Sequence, residues 1–258
     1  MIAAQSNEQY KNKMASLSHI EWTEMTWNPV TGCTKISPGC KFCYAETLAL
    51  RLKAMGVAGY ENGFAIQILS ERLEQPRRRK KPTIWFVNSM SDLFHDKVPF
   101  EYVERVLDTI NDTPQHVYQI LTKRPNRMAK FFSRRKVPDN VWLGTTVEDR
   151  KYGLPRIAPL VSIEAKTRFL SIEPLLEQLG PFDLTGIHWA IVGGESGAKA
   201  RAMRPEWAQE IRDLCDEQGI PFFFKQWGAY GADGVRRAKK LNGRELDGCL
   251  HDAMPVQK

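Results

Sequence analysis

The sequence predicts an α/β protein built on a parallel sheet, and three observations predict it. Short apolar, β-rich runs recur along the chain, helical patterns separate them, and polar or charged residues follow nearly every run. The runs are TIWFVNS (83–89), HVYQILT (116–122), NVWLGTT (140–146), TRFLSIE (167–173), HWAIVGG (188–194) and PFFFKQW (221–227). Several are almost continuously apolar rather than alternating, as strands covered on both faces require. Alternation of strand and helix at this period favours βαβ units, arranged as a barrel or as an open sheet.

Helical spacing is clearest in three segments. PFEYVERVLDTIND (99–112) opens with Pro99, suited to a first turn, and places Val103, Val106, Leu107 and Ile110 on one face. RPEWAQEIRDLCDEQG (204–219) starts with Pro205, has Trp207, Ile211 and Leu214 as its expected buried residues, and stops at Gly219. CYAETLALRLKAMG (43–56) is the third, ending at Gly56. Residues 1–20 read as a loose tail, and 21–258 as one domain with an irregular insertion near 57–82 that contains PRRRKKP.

Composition narrows the setting. With 258 residues and 42% hydrophobic content the chain can bury a sizeable core. No stretch approaches the roughly 18 consecutive apolar residues of a membrane span, and the polar N-terminus lacks a secretory signal. A cytoplasmic, reducing location is therefore expected, where cysteines serve as metal ligands or catalytic groups rather than as disulfides. The 37 basic residues outnumber 30 acidic ones, giving +7, which suits a polyanionic partner and equally suits solubility.

Parallel α/β sheets build their sites at the C-terminal ends of strands. There this chain carries Lys123 and Arg124, Glu148, Glu173, and Lys225 with Gln226, a set that buried ion pairing explains as readily as catalysis. Lys123, Glu173 and Lys225 are the candidate catalytic residues.

Three of the five cysteines fall within eleven positions, Cys33, Cys40 and Cys43 in TGCTKISPGCKFCYAE. Structural zinc prefers four ligands, commonly as two pairs, with His19 or His95 available to complete such a set. A [4Fe–4S] cluster held by three thiolates instead leaves one iron open to a small molecule. Pro38-Gly39 would let the chain turn so that Cys33 meets the other two, and Cys43 opens a helix whose dipole favours an anionic cluster. Cys215 reads as a packing residue beside Leu214, and Cys249 has no legible role.

A three-cysteine loop before a helix, feeding a parallel β/α barrel, resembles the radical S-adenosylmethionine (SAM) superfamily. More narrowly, WNPVTGCTKISPGCKFCYAE, NSMSDLFH, LTKRP, SIEPLLE, VGGESG and FFKQWG resemble the bacteriophage Gp37/Gp68-type proteins, a group distantly similar to spore photoproduct lyase. The resemblance covers the chain from about Trp22 onward. The cysteine gaps here are six residues and then two, against the superfamily's usual three and two.

The resemblance implies a partial (β/α) barrel of about six or seven parallel strands. It implies that Cys33, Cys40 and Cys43 hold a [4Fe–4S] cluster whose fourth iron takes SAM, and that reductive cleavage yields a 5′-deoxyadenosyl radical. An electron donor such as flavodoxin or ferredoxin follows from the same chemistry. Phe42, the aromatic before the last cysteine, would pack near the adenine. Superfamily members often carry a Gly-Gly-Glu-like element after the second strand, where this chain has Asn88, Ser89, Met90, Ser91 and Asp92. The literal Gly193-Gly194-Glu195 follows a later strand; its glycines would permit close backbone approach, and Glu195 could accept from an ammonium or ribose hydroxyl. Glu148 joins these as a cofactor-binding candidate.

The expected substrate is a nucleic acid or nucleotide, modified or repaired. Basic tracts at 77–81, 123–136 and 236–240 favour it; the middle one carries seven cations and no acid. Its Met128, Phe131 and Phe132 are nevertheless spaced to face a core rather than to stack on bases. Tyr44 reads as the first packed residue of its helix in preference to a radical relay. Two other readings stay open: a zinc-stabilised nucleic-acid-binding module, and a radical SAM enzyme acting on a peptide or small metabolite.

Overall fold

A computed structural model describes residue 18 and residues 20–256, so nearly all of the expected N-terminal tail, and His19, lie outside the described residues. Seven strands form a parallel sheet in the order β1 (Met25–Trp27), β4 (Ile84–Val87), β5 (Val117–Thr122), β6 (Val141–Thr146), β7 (Thr167–Ile172), β8 (Trp189–Gly193) and β9 (Phe222–Gln226), the partial (β/α) barrel class expected from the sequence. The described residues divide into two compact units, one running up to residue 34 and from 45 to 120, the other from 35 to 44 and from 121 onward.

The first unit begins with β1 (Met25–Trp27) and β2 (Val30–Thr31), followed by α1 (Tyr44–Ala54), β3 (Gln67–Ile68) and the short α2 (Gln75–Arg78). β4 (Ile84–Val87), α3 (Phe100–Asn111) and β5 (Val117–Thr122) complete a βαβ unit. β4 pairs in parallel with β1, Trp27 opposite Val87, and with β5, Ile84 opposite Val117. β1 was not among the strands expected from the sequence: at three residues it is too short to show a period. The face predicted for α3 is the one found, with Val103, Val106, Leu107 and Ile110 all buried. Segment 57–82 packs into this unit. Buried Arg72 donates to the carbonyls of Asn28 and Ala58, and its own carbonyl accepts from the Trp27 indole at 2.8 Å.

The second unit contains the end of β5, then α4 (Pro125–Phe132), β6 (Val141–Thr146), α5 (Ile157–Val161), β7 (Thr167–Ile172) and β8 (Trp189–Gly193). It closes with α6 (Pro205–Glu217), β9 (Phe222–Gln226), α7 (Lys239–Asn242) and the hairpin strands β10 (Glu245–Leu246) and β11 (Cys249–Leu250). Every residue of β6 and β8 is buried, which explains why these segments read as continuous apolar runs. Met128, Phe131 and Phe132 of α4 are buried, so the aromatics of the middle basic tract pack inside the protein.

Two expectations are corrected here. On α6 the inward face is Ala208, Ile211 and Cys215, and Trp207 and Leu214 are only half-buried because they sit one position off that stripe. Tyr44 is 56% exposed and does not pack as the first residue of α1; Ala45 and Ala49 form the buried face of that helix. Cys215 is the core residue expected, and burial, reinforced by the nearby charge of Asp216, pushes its thiol up to about 12.

Close packing in the second unit yields a test. A Cβ on Gly144 of β6 would lie 2.4 Å from the fully buried ring of Phe169 on β7. Gly144→Ala is expected to cost about 1–3 kcal/mol in urea denaturation. In combination with Phe169→Leu the two losses should sum to more than the double variant shows, because the smaller side chain makes room.

Candidate cofactor site

In the first unit, β1 and β4 end side by side, and their extensions are stitched together. The Asn88 N–H donates to the Trp27 carbonyl at 2.7 Å, the Gly32 N–H to the Met90 carbonyl at 3.1 Å, and the Ser91 hydroxyl to the Val30 carbonyl at 2.7 Å. Asn28 accepts from the Met90 N–H at 2.9 Å and is within 3.2 Å of the Ser89 hydroxyl. The buried carboxylate of Asp92 accepts from the Phe94 N–H at 2.9 Å. Gly32 places Cys33. Its φ of +81° suits glycine, and a Cβ there would meet the Ala65 carbonyl oxygen at 2.1 Å.

Asn88 is the unusual residue of this loop. It is left-handed at φ 60°, 2% exposed, and neither side-chain atom has a hydrogen-bond partner among the described residues. A buried carboxamide left unsatisfied costs roughly 1–3 kcal/mol per group, so its donor and acceptor are unspent capacity for a ligand.

His95, one of two histidines considered for a zinc site, is already engaged. Its Nδ1 accepts from the Lys97 N–H at 3.1 Å, so the proton sits on Nε2, which donates to the Thr34 hydroxyl at 2.8 Å.

In the second unit, the segment carrying Cys40 and Cys43 turns through a 3₁₀ helix at Pro38–Cys40, where the Cys40 N–H donates to the Ser37 carbonyl at 2.9 Å. Cys43 directly precedes α1. All three cysteines of the motif are half-buried thiols. Phe42 has two cations near its ring, Lys41 Nζ and the Arg201 guanidinium each 5.3 Å from the centroid.

Glu148 stands after β6 with no exposed surface. It pairs with Arg156 at 2.5 Å and accepts a short hydrogen bond from the Ser37 hydroxyl. Burial alone would raise its pKa; the charges of Lys123 and Arg156, with hydrogen bonds from Arg156 and Ser37, outweigh burial and hold the carboxyl below its ordinary value. Gly39 packs closely against it: a Cβ would meet Glu148 side-chain carbons at 3.0–3.2 Å, tight enough that the carboxylate arm would have to shift.

The other strand-end residues pair as well. Glu173 and Lys225 form an ion pair at 2.8 Å, both largely buried, and Lys123 donates to the Thr146 hydroxyl at 3.2 Å. Gly193 leaves room for the Glu173 carboxylate, 2.9 Å from a would-be Cβ, and Gly194 leaves room for the Trp227 carbonyl, 2.0 Å from one. In this structure the close approach permitted by these glycines is made by the chain itself. Glu195 gives both carboxylate oxygens to Arg201, at 2.5 and 2.8 Å, and Gln226 donates to the Ser196 hydroxyl at 3.2 Å. Arg156 and Arg201 are the residues that sequence reading missed. Arg156 ends a 3₁₀ turn and Arg201 sits in a loop, and only an acidic residue needing a buried partner could have signalled them.

Among the described residues, no group of three or more His, Cys, Asp and Glu side chains stands close enough together to hold a metal ion. Thiolate is the donor type that an iron–sulfur cluster takes. Three partly exposed thiols of that type occur within one short stretch of sequence, Cys33 to Cys43.

A family model described as "Protein of unknown function (DUF5131)" matches residues 17–255. The chain belongs to the DUF5131 family. A search of the curated proteins found no match. Among solved structures, this DUF5131 chain is similar to a mutant spore photoproduct lyase with dinucleoside spore photoproduct, at 14% identity and a TM-score of 0.48 over 79% of this chain and 63% of that one. Similar, too, are that lyase complexed with dinucleoside spore photoproduct (12% identity, TM-score 0.48, 80% of this chain and 64% of that) and a mutant with bound AdoMet and the same dinucleoside (13%, 0.48, 79% and 64%). The DUF5131 chain spans less than two thirds of the length of these structures. A likeness this distant says nothing of activity. No helix among the described residues is long and apolar enough to cross a membrane.

The Glu148 pairing has a definite pH signature. A lowered folded-state pKa means that the group stabilises above its ordinary value of 4.5 and loses that contribution as pH falls through the folded value. Glu148→Gln is expected to cost about 3 kcal/mol in urea unfolding at neutral pH, by stranding Arg156. The gap to wild type should hold above pH 4.5 and close as pH falls through the lowered folded value. A gap that does not vary with pH contradicts the pairing.

Proposed function

We propose that this protein is a radical SAM-type enzyme in which Cys33, Cys40 and Cys43 hold a [4Fe–4S] cluster. The observation that supports the reading is that three half-buried thiols share one short segment, Cys33 after β2 and Cys43 directly before α1. When bound, such a cluster supplies the electron that cleaves SAM reductively, with flavodoxin or ferredoxin as a suitable donor class. The phage Gp37/Gp68-type resemblance belongs to the same reading.

The chain's own residues would then orient and shield. Asn88 has an unused donor and acceptor, with Ser89, Ser91 and Asp92 beside it in sequence, and is the best-supplied position for the polar end of SAM. Phe42 offers a ring already flanked by cations, suited to packing against a purine. Glu173 and Lys225 hold opposite charges at 2.8 Å, a pair able to keep or pass a proton beside a substrate.

A nucleic acid or nucleotide is the proposed substrate class. Support comes from the net charge of +7 and from cations set beside aromatic rings, such as Arg236 at 5.8 Å from Tyr230. The buried aromatics of α4 lend this reading nothing.

Anaerobically prepared protein is expected to contain about four iron and four labile sulfide per chain and to convert SAM to 5′-deoxyadenosine under reduction. Cys33→Ala, Cys40→Ala and Cys43→Ala should each reduce that product to background, while Cys215→Ala and Cys249→Ala retain it. Stoichiometric zinc without sulfide would falsify the reading.

A further inference from the structure

We infer that Arg201 is a positioning residue that sets the orientation of the Cys40–Cys43 segment, and that Glu195 acts through it. The inference rests on the geometry of the second unit and stands apart from the cofactor reading. Arg201 reaches the segment in two ways. Its Nη2 donates to the Pro38 carbonyl at 3.1 Å, and its guanidinium lies 5.3 Å from the centre of the Phe42 ring. Pro38 and Phe42 bracket Cys40, and Phe42 immediately precedes Cys43. One side chain therefore touches the segment on both sides of one thiol and next to the other.

The same guanidinium is fixed from behind. Nε donates to Glu195 Oε2 at 2.8 Å and Nη2 to Glu195 Oε1 at 2.5 Å, a bidentate pair, while the Arg201 N–H adds a third bond to Oε2 at 2.9 Å. Glu195 is itself 6% exposed, and its carbonyl accepts from the Ala229 N–H at 2.9 Å. The intervening loop is tied down where Arg236 donates to the carbonyls of Gly197 and Ala198, at 3.1 and 2.6 Å. The end of β8 thus determines where Arg201 stands, and Arg201 determines where Pro38 and Phe42 stand. With both oxygens committed, Glu195 governs the thiols through the arginine rather than by contacting a ligand.

Residue-resolved alkylation tests this on the full chain prepared without metal. Iodoacetamide modification is followed by peptide mass spectrometry at every cysteine, in wild type, Arg201→Gln, Arg201→Lys and Glu195→Gln. Arg201→Gln and Glu195→Gln should accelerate modification of Cys40 and Cys43 by about three- to tenfold, with Arg201→Lys between them and wild type. Cys249, already exposed, and Cys215, in the core, should react at wild-type rates. Unchanged rates at Cys40 and Cys43 would overturn the inference. So would a parallel rise at Cys215, which reports general loosening. Because no cluster is needed, loss of the cofactor reading would leave these outcomes unaffected. Should Arg201→Gln not fold, Arg201→Lys and Glu195→Gln carry the same comparison.

Discussion

The carboxylate of Glu148 has no exposed surface, and a charge withdrawn from water to that degree must be paired or the surrounding structure gives way. Its partners dictate much of the second unit. Arg156 is drawn in from the 3₁₀ turn before α5 and donates to both the Thr146 carbonyl and the carboxylate. Ser37 donates from the cysteine segment, and Gly39 packs closely against the same side chain. The Leu176 N–H caps the Glu148 carbonyl. One strand-end acid thereby joins the turn carrying Cys40 to the end of β6.

A second acid repeats the device with different chemistry. Glu195, after β8, is held by a forked guanidinium that continues to Pro38 and Phe42. Glu173, after β7, takes Lys225 from the end of β9. Three acids at the ends of neighbouring parallel strands would repel one another if left alone, and each instead has its own cation. The arrangement is costly to desolvate and therefore makes weak evidence for stability, but it fixes positions. Fixed positions are what a thiol segment between two elements needs if it is to present ligands reproducibly.

The strands of the sheet were legible because burial on both faces leaves an unbroken apolar signature, as in WAIVG of β8. α3 was legible to the residue, since its apolar stripe is strict. β1 was not, because three residues carry no period, and α6 was read one position off because Trp207 and Leu214 look as apolar as the residues that do face inward. The acids Glu148, Glu173 and Glu195 could be picked out from their place after strands. Of the nearby cations, Lys225 beside Glu173 and Lys123 near Glu148 also end strands and could be picked out; Arg156 and Arg201 come from a 3₁₀ turn and a loop with no periodic signal. The unsatisfied carboxamide of Asn88 is a property of three dimensions, invisible in the letters NSMSD.

The central proposal is an iron site that the protein leaves open for SAM. Electron paramagnetic resonance of the reduced, cluster-loaded protein, recorded with and without SAM, addresses that directly. A cluster held by Cys33, Cys40 and Cys43 should change its signal when SAM takes the vacant iron, and the change should saturate at one equivalent. A signal indifferent to SAM, or no reducible cluster at all, would contradict the account.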